Sequence, residues 1–151
     1  MQVKLLSEDK FVEVIPIELI DPVYDGQATK GPWNDEPNAF KFSVGDYPCI
    51  GLRMWLGHWC GYVGSLNSEE VFAEPWNGFT FDQKSLPLSK ILDLPEDLFH
   101  WKGFDCAHHG DYVPGLYEDN VSSRENYKTL EFVVNELYYM VVNKKAVQHA
   151  R

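Results

Sequence analysis

Short segments in which apolar and polar residues alternate account for most of the ordered pattern along the chain. Residues 39–44 read Ala-Phe-Lys-Phe-Ser-Val, and residues 78–83 alternate in the same way. This alternation is typical of a half-buried β-strand, because successive side chains of a strand point to opposite faces. The pattern predicts further strands in four segments: residues 1–6 and 11–20 (a hairpin or two short strands), 49–64 (two strands that meet near Gly57) and 98–106.

The end of the chain has a helical pattern instead. Apolar residues recur there at steps of three and four: Tyr127, Leu130, Val134, Leu137 and Val141. This spacing places them on one face of an amphipathic helix. Ser122 and Glu125 fit a capping box at its start. Lys144 and Lys145 near its end suit the negative pole of the helix dipole.

Together these patterns predict one α+β domain over residues 1–151. We expect an antiparallel or mixed sheet that is covered by a C-terminal amphipathic helix at 122–147. Residues 21–38 contain several Pro and Gly residues and few aliphatic ones, which predicts a long loop. A chain of this length buries about 68–70% of the surface that its unfolded form exposes, so it can form a sizeable core.

The charge balance narrows the classes of partner. The formal net charge is −10, from 23 acidic residues against 13 Lys and Arg. A protein that binds nucleic acid or an anionic membrane needs a basic surface, so we expect neither as a partner. The acids occur in scattered pairs such as Glu69-Glu70 rather than in one block. The acidity therefore indicates solubility first, and an acidic face for a basic partner second.

Cysteine usage and the apolar runs predict a cellular compartment. Cys49, Cys60 and Cys106 are odd in number and form no Cys-x-x-Cys motif, so they predict no disulfide framework. The N-terminal segment lacks the pattern of a signal peptide. No apolar run approaches the roughly 20 residues of a membrane helix. These features predict a cytoplasmic protein with reduced thiols.

Residues 103–111 form the densest group of chemically capable side chains. Two carboxylates, two imidazoles and a thiol fall within residues 105–111. Such groups serve a metal-activated water or a general acid–base pair. Asp105, His108 and Asp111 are therefore the candidate catalytic residues of a metal-dependent hydrolase or phosphodiesterase. The alternative is a structural loop whose carboxylates accept backbone N–H groups.

A second group follows Gly57. If residues 58–62 form a strand, then His58, Cys60 and Tyr62 point to the same side. His58 and Cys60, with Asp105 and His108, are candidate zinc ligands. Only one of these pairs has the usual ligand spacing, so we expect no cofactor, with zinc or another divalent ion as the alternative. The cysteines would otherwise be small core residues.

Four motifs in a fixed order resemble a family of uncharacterised proteins that are frequent in bacteriophage and prophage genomes. They are His-Trp-Cys-Gly-Tyr-Val-Gly (58–64), Gly-Phe-Thr-Phe (78–81), Gly-Phe-Asp-Cys-Ala-His-His-Gly-Asp (103–111) and Tyr-Lys-Thr-Leu-Glu-Phe-Val (127–133). The resemblance covers about the last two-thirds of the chain. Family members often carry His-Gly-Gly-Leu-Thr-Phe at the second motif, whereas this chain has Trp76-Asn77-Gly78-Phe79-Thr80-Phe81 and lacks that His.

The resemblance implies a phage or prophage setting, and the missing His favours binding over catalysis. We therefore predict a phage-type accessory protein that counteracts a host defence system in the host cytoplasm. It would sequester a small molecule such as a nucleotide signal, or mask a host protein. Alternatives are the hydrolase above and an acidic protein–protein inhibitor that mimics nucleic acid. The expected pocket is lined by ten residues: His58, Cys60, Tyr62, Trp76, Asn77, Thr80, Asp105, His108, His109 and Asp111.

Overall fold

The computed structural model describes residues 1–18, 30–83, 99–116 and 123–145. Within these ranges the chain forms eight strands, two short 3-10 turns and one α-helix. The strands are β1 (Gln2–Leu5), β2 (Lys10–Glu13), β3 (Ile15–Pro16), β4 (Ala39–Val44), β5 (Tyr47–Arg53), β6 (Trp59–Ser65), β7 (Phe81–Gln83) and β8 (His100–Asp105). The helix is α1 (Leu130–Val142), and the 3-10 turns are Pro32–Asp35 and Arg124–Asn126.

The main sheet has six strands in the order β3-β4-β5-β6-β8-β7, and β1 pairs with β2 in a separate hairpin. Every neighbouring pair is antiparallel. The predicted α+β fold, with a sheet covered by a C-terminal helix, is therefore confirmed. No helix in the described ranges is long and apolar enough to cross a membrane.

Most predicted strands lie where the alternation places them, and the strand at 78–83 is the main exception. Its pairing begins only at Phe81. Before it the backbone turns, with positive φ of 64° at Asn77 and 80° at Gly78. The Gly78 amide donates to the Pro75 carbonyl at 2.9 Å and closes this turn. A left-handed conformation at two successive residues cannot continue a strand.

Each face of the main sheet buries its own apolar cluster. Trp59 and Val63 point toward α1, which packs across β5 and β6. Cys60 and Tyr62 point to the opposite face. A Cβ atom at Gly61 would lie 3.0 Å from Val133 of α1, so glycine permits the close approach of helix and sheet. The strand alternation thus fixes which β6 side chains can meet the helix.

The helix begins later than the sequence predicts. Its first residue is Leu130, and the Thr129 side chain caps it by accepting a 3.2 Å hydrogen bond from the Phe132 amide. Glu125 of the expected capping box lies in a 3-10 turn, and Ser122 lies outside the described residues. The predicted start was wrong because tertiary contacts of the preceding residues override the local pattern.

The two lysines near the C-terminal end of α1 also act differently from the prediction. The helix ends at Val142, so Lys144 and Lys145 lie beyond it rather than in its last turn. Lys144 Nζ forms a 2.8 Å ion pair with Glu70, and the Lys145 amide donates to the Val71 carbonyl at 2.8 Å. These contacts tie the segment after the helix to the segment after β6.

One buried ion pair connects three parts of the fold. The Arg53 side chain, at the end of β5, is 1% exposed, and its guanidinium contacts Glu36 at 3.1 Å. The same group lies 4.5 Å from the Trp59 ring centroid and donates to the Gly57 carbonyl and the Tyr127 hydroxyl, each at 2.8 Å. Opposite charge, hydrogen bonds and a ring face therefore compensate the loss of water around this cation.

Residues 30–38 are arranged around the same guanidinium, whereas residues 21–29 of the predicted loop lie outside the described residues. Arg53 donates hydrogen bonds to three further acceptors: the carbonyls of Trp33 and Pro37, each at 3.3 Å, and Asn38 Oδ1 at 3.1 Å. An irregular segment thus obtains its buried hydrogen bonds from one side chain.

Glu36 completes the connection to the helix. Its Oε1 accepts from Trp59 Nε1 at 3.1 Å and from the Tyr127 hydroxyl at 2.5 Å. Its Oε2 accepts from the Leu130 amide at 2.6 Å, which is one of the free donors at the start of α1. The carboxylate also suits the positive pole of the helix. This one side chain therefore links the start of α1 to Arg53 of the sheet, in addition to the apolar packing of the helix on β5 and β6.

We predict that Arg53→Ala lowers the free energy of unfolding by about 3–5 kcal/mol, because it leaves the Glu36 carboxylate buried and uncompensated. Glu36→Gln should have the same direction and a smaller effect, since the amide oxygen can still accept hydrogen bonds. Urea denaturation followed by tryptophan fluorescence measures both. Asp9→Asn, which breaks an exposed ion pair with Lys4, is the control and should cost about 0–1 kcal/mol. Equal stability of the Arg53→Ala and Asp9→Asn proteins would contradict this role.

Candidate functional site

The ten residues predicted to line one pocket lie in three places. His58, Cys60 and Tyr62 are buried, the last two on the sheet face away from α1. Trp76, His108 and Asp111 lie near the start of α1, where Trp76 contacts His108 and Phe132 and Asp111 faces Lys128. Asp105 ends β8 directly opposite Cys60, with its carboxylate 3.4 Å from His108 Nδ1. The remaining three, Asn77, Thr80 and His109, are exposed. The predicted residues are thus divided between a buried strand group and a loop group, and Asp105 lies next to both.

The first group packs as core. Cys60 lies directly opposite Asp105 in the sheet, and Tyr62 opposite Gly103. A Cβ atom at Gly103 would lie 2.4 Å from the Gly61 carbonyl, so the backbones leave no space for a ligand there. Burial raises the pKa of the Cys60 thiol to about 12 and raises that of the Tyr62 phenol. These side chains are protonated packing groups at neutral pH.

His58 is buried just before β6, and its Nδ1 has no hydrogen-bond partner. Burial lowers the pKa of its imidazole, Asp105 opposes that shift, and Arg53 adds to it. The neutral form is therefore the stable one in the folded protein.

Cys106 offers no nucleophile either. It is 3% exposed, and its amide donates to the Trp59 carbonyl at 2.9 Å. Burial raises the pKa of its thiol well above the ordinary value. Since the thiolate is the reactive and metal-binding form, the protonated Cys106 thiol is a poor nucleophile.

The 105–111 loop is held by its own carboxylates. Asp105 Oδ1 accepts from the Ala107 amide and Asp111 Oδ2 from the His108 amide, each at 3.1 Å. Gly110 has a positive φ of 97°, which the return of the chain toward Asp111 requires. Both acids therefore satisfy backbone donors, as the structural alternative expects.

The same loop gathers the three candidate catalytic side chains. His108 Nδ1 lies 3.4 Å from Asp105 Oδ1 and 3.9 Å from Asp111 Oδ2. The Asp111 side chain is fully buried, and Lys128 Nζ lies 3.6 Å from its Oδ1. Burial raises the pKa of Asp111, against the opposing effects of the His108 amide and Lys128. An imidazole between two carboxylates is thus present, although its Nδ1 makes no hydrogen bond.

The candidate zinc ligands do not form a centre. Across residues 1–18, 30–83, 99–116 and 123–145, no group of three or more His, Cys, Asp or Glu side chains is placed to hold a metal ion. The zinc alternative therefore stays a prediction from the sequence.

A groove of about 710 Å³ was missed by sequence reasoning. Three sets of residues line it, and we call it the α1 groove: Lys4, Leu6 and Ser7 of the hairpin, residues 74–76, and Thr129, Glu131, Phe132, Asn135, Glu136 and Tyr139 of α1 and its N-cap. Trp76 is the one predicted pocket residue among the described residues that line it. The available signal was Leu6 and Tyr139, large apolar residues at positions that the patterns leave facing solvent.

Trp76 connects the α1 groove to the 105–111 loop. Its ring makes edge contacts with His108 and Phe132, both at 6.3 Å between centroids. Lys128 Nζ lies 4.5 Å from the Trp76 ring centroid, so a cation already stacks on this indole. Even so, 43% of Trp76 remains exposed.

The charges of the α1 groove are mostly negative. Among its described lining residues, Glu74, Glu131 and Glu136 face a single base, Lys4. Burial raises the pKa of Glu136, and a hydrogen bond from the Trp76 backbone opposes that shift. The groove is thus both apolar and acidic.

Comparisons with protein-family models, with curated proteins and with solved structures found no match. The resemblance to bacteriophage proteins therefore stays a prediction from the sequence motifs, and the functional argument depends on the geometry of this chain alone.

We predict that stability falls on acidification partly through His58. Because burial lowers its pKa, the unfolded chain takes up the proton first as the pH drops below 6.5. For one group, the slope of the free energy of unfolding against pH approaches about 1.36 kcal/mol per pH unit. His58→Gln should reduce that slope between about pH 7 and about pH 5, measured by urea denaturation. His109→Gln removes an exposed imidazole and is the control. An unchanged slope in His58→Gln would contradict the prediction.

Proposed function

We propose that this chain is a binding protein that docks a partner protein in the α1 groove and thereby masks it. The observation that supports this most is the convergence of exposed apolar side chains on one groove. Leu6 is 84% exposed, Tyr139 48% and Trp76 43%, and all three line it. Exposed apolar groups that cluster in a concave surface are typical of interaction sites.

The shape of the α1 groove is set before any partner binds. The Leu6 amide donates to Asn135 Oδ1 at 2.8 Å, and Asn135 Nδ2 donates to the Lys4 carbonyl at 3.1 Å. The Tyr138 hydroxyl donates to Glu8 at 2.5 Å. These contacts fix the hairpin on α1, and a preformed surface loses less entropy on binding.

The charge of the groove favours a protein over a nucleotide. A nucleotide signal carries phosphates, which the carboxylates of Glu74, Glu131 and Glu136 would repel. The chain as a whole adds to that repulsion with its net charge of −10. A basic protein surface has the complementary sign and would associate faster as well as more specifically.

The motif resemblance gives this activity a setting. In a phage-infected cell the partner would be a host protein in the cytoplasm, and masking it would counteract a host defence system. Under this proposal the acidic surface would let the chain act as a protein–protein inhibitor of a basic host protein.

A photo-crosslinking experiment tests the proposal. Benzoylphenylalanine placed at Tyr139 should give discrete protein adducts in the cells that naturally carry the gene, because this position lines the α1 groove. The same group at Trp55, which is 67% exposed and outside the lining, is the matched control and should give none. Adding Trp76→Ala to the Tyr139 probe should remove the adducts. Equal adducts from both positions, or none from position 139, would count against docking in the groove.

A second candidate function is supported by the convergence of Asp105, His108 and Asp111. His108 between two carboxylates is an arrangement that general acid–base catalysis uses. If the chain is a phosphodiesterase, it should hydrolyse bis(para-nitrophenyl) phosphate with magnesium or manganese, His108→Ala should abolish turnover, and His109→Ala should retain it. Under the binding proposal, turnover stays at the blank rate, and His108→Ala leaves the crosslinks at position 139 in place.

A further inference from the structure

Glu136 is an unusual acid within the α1 groove. It lies in the middle of α1 and is half-buried among apolar lining residues. The neighbouring turns place Phe132 four residues before it and Tyr139 three residues after it, so all three share one helix face. The Trp76 backbone contacts the Glu136 carboxylate from the adjoining wall.

Other shielded acids of this protein have a cationic partner. Glu36 pairs with Arg53 at 3.1 Å, Glu70 with Lys144 at 2.8 Å, and Asp111 lies 3.6 Å from Lys128. In the described part of the chain, Glu136 has no base within ion-pair distance. A carboxylate that is partly removed from water gains more from an incoming cation than an exposed one does.

Lys4, the one base in the described lining, pairs with an acid other than Glu136. Lys4 Nζ lies 3.5 Å from Asp9 in an exposed ion pair. Lys128 is not part of the lining and is held between Asp111 and the Trp76 ring. As far as the described residues extend, the charge of Glu136 is therefore open to a group from outside the chain.

The surrounding side chains favour one kind of cation. A guanidinium is planar, less strongly hydrated than an ammonium, able to donate two parallel hydrogen bonds to a carboxylate, and able to stack on aromatic rings. Tyr139 supplies a ring in the same lining, beside Trp76 and Phe132, whose rings already have Lys128 Nζ at 4.5 and 5.3 Å. An ammonium group would meet the charge but use the rings less well.

We infer that the α1 groove takes a peptide segment of the partner that carries an arginine flanked by apolar residues, with its guanidinium against Glu136. This inference rests on the proposed function and adds the chemistry of the partner. Glu136 is then the specificity-determining residue, while Leu6, Trp76 and Tyr139 hold the apolar flanks.

A displayed library of short random peptides, sorted against the full-length protein, tests this. The wild type should enrich peptides in which arginine lies next to aromatic or aliphatic residues. Glu136→Gln should weaken the enriched peptides on the order of tenfold or more, since one side of a shielded ion pair is lost. Glu131→Gln, an exposed acid of the same groove, is the matched control and should change affinity far less. Replacing the arginine of a selected peptide by lysine should weaken it less than replacement by glutamine.

The outcomes separate the inference from the proposed function. Enriched peptides that lose affinity in Trp76→Ala but lack arginine, or bind Glu136→Gln as well as wild type, would overturn the inference and leave docking in the groove intact. Failure to enrich any peptide, together with absent crosslinks at position 139, would overturn both. Thermal unfolding provides the structural control, because Glu136→Gln removes a half-buried charge and should not lower the melting temperature. A clear loss of stability in that variant would instead assign Glu136 a structural role and overturn the inference.

Discussion

The buried ion pair between Arg53 and Glu36 is the constraint on which the rest of the structure depends. It fastens the end of β5, the irregular segment at 30–38 and the first amide of α1 to one another. Since α1 supplies one wall of the α1 groove, this ion pair also helps to set where that wall lies. A buried pair adds little net stability compared with apolar residues of similar size. Its contribution here is to specify one arrangement of these segments, because their sequence patterns alone are compatible with several arrangements.

The sequence predicted the parts of the fold whose determinants are local. Alternation located β4, and glycine separated β5 from β6 at Gly57. It missed Arg53, because a lone arginine in an apolar run gives no sign that its partner Tyr127 lies 74 residues away. It also placed the helix start too early, since the capping pattern at residues 122–125 competes with contacts that only the folded chain contains. Prediction from local patterns failed where the position of one side chain is set by residues that are distant in the sequence.

The same distinction between local and long-range determinants applies to the candidate site. Asp105, His108 and Asp111 were expected together and are together, because seven consecutive residues cannot separate far in a tight loop. Cys60 was expected with them and lies directly opposite Asp105. Alternation along β6 nevertheless buries Cys60 and Tyr62 in the apolar cluster on the face away from α1, whereas Trp76 contacts Phe132 of α1. The α1 groove could not be read in advance, because it depends on how much of the helix surface the β1–β2 hairpin leaves uncovered. That quantity is set by long-range contacts such as those of Asn135.

Only the buried residue Val14 separates β2 from β3, so a single stretch of chain serves first the hairpin and then the edge of the main sheet. An outward swing of the hairpin wall of the α1 groove would therefore strain the pairing of Ile15 and Pro16 with β4, as well as the hydrogen bonds between the hairpin and Asn135. The sheet and the helix therefore both hold this wall in place. A partner that docks there would therefore meet a wall that is anchored both to the edge strand of the sheet and to the helix.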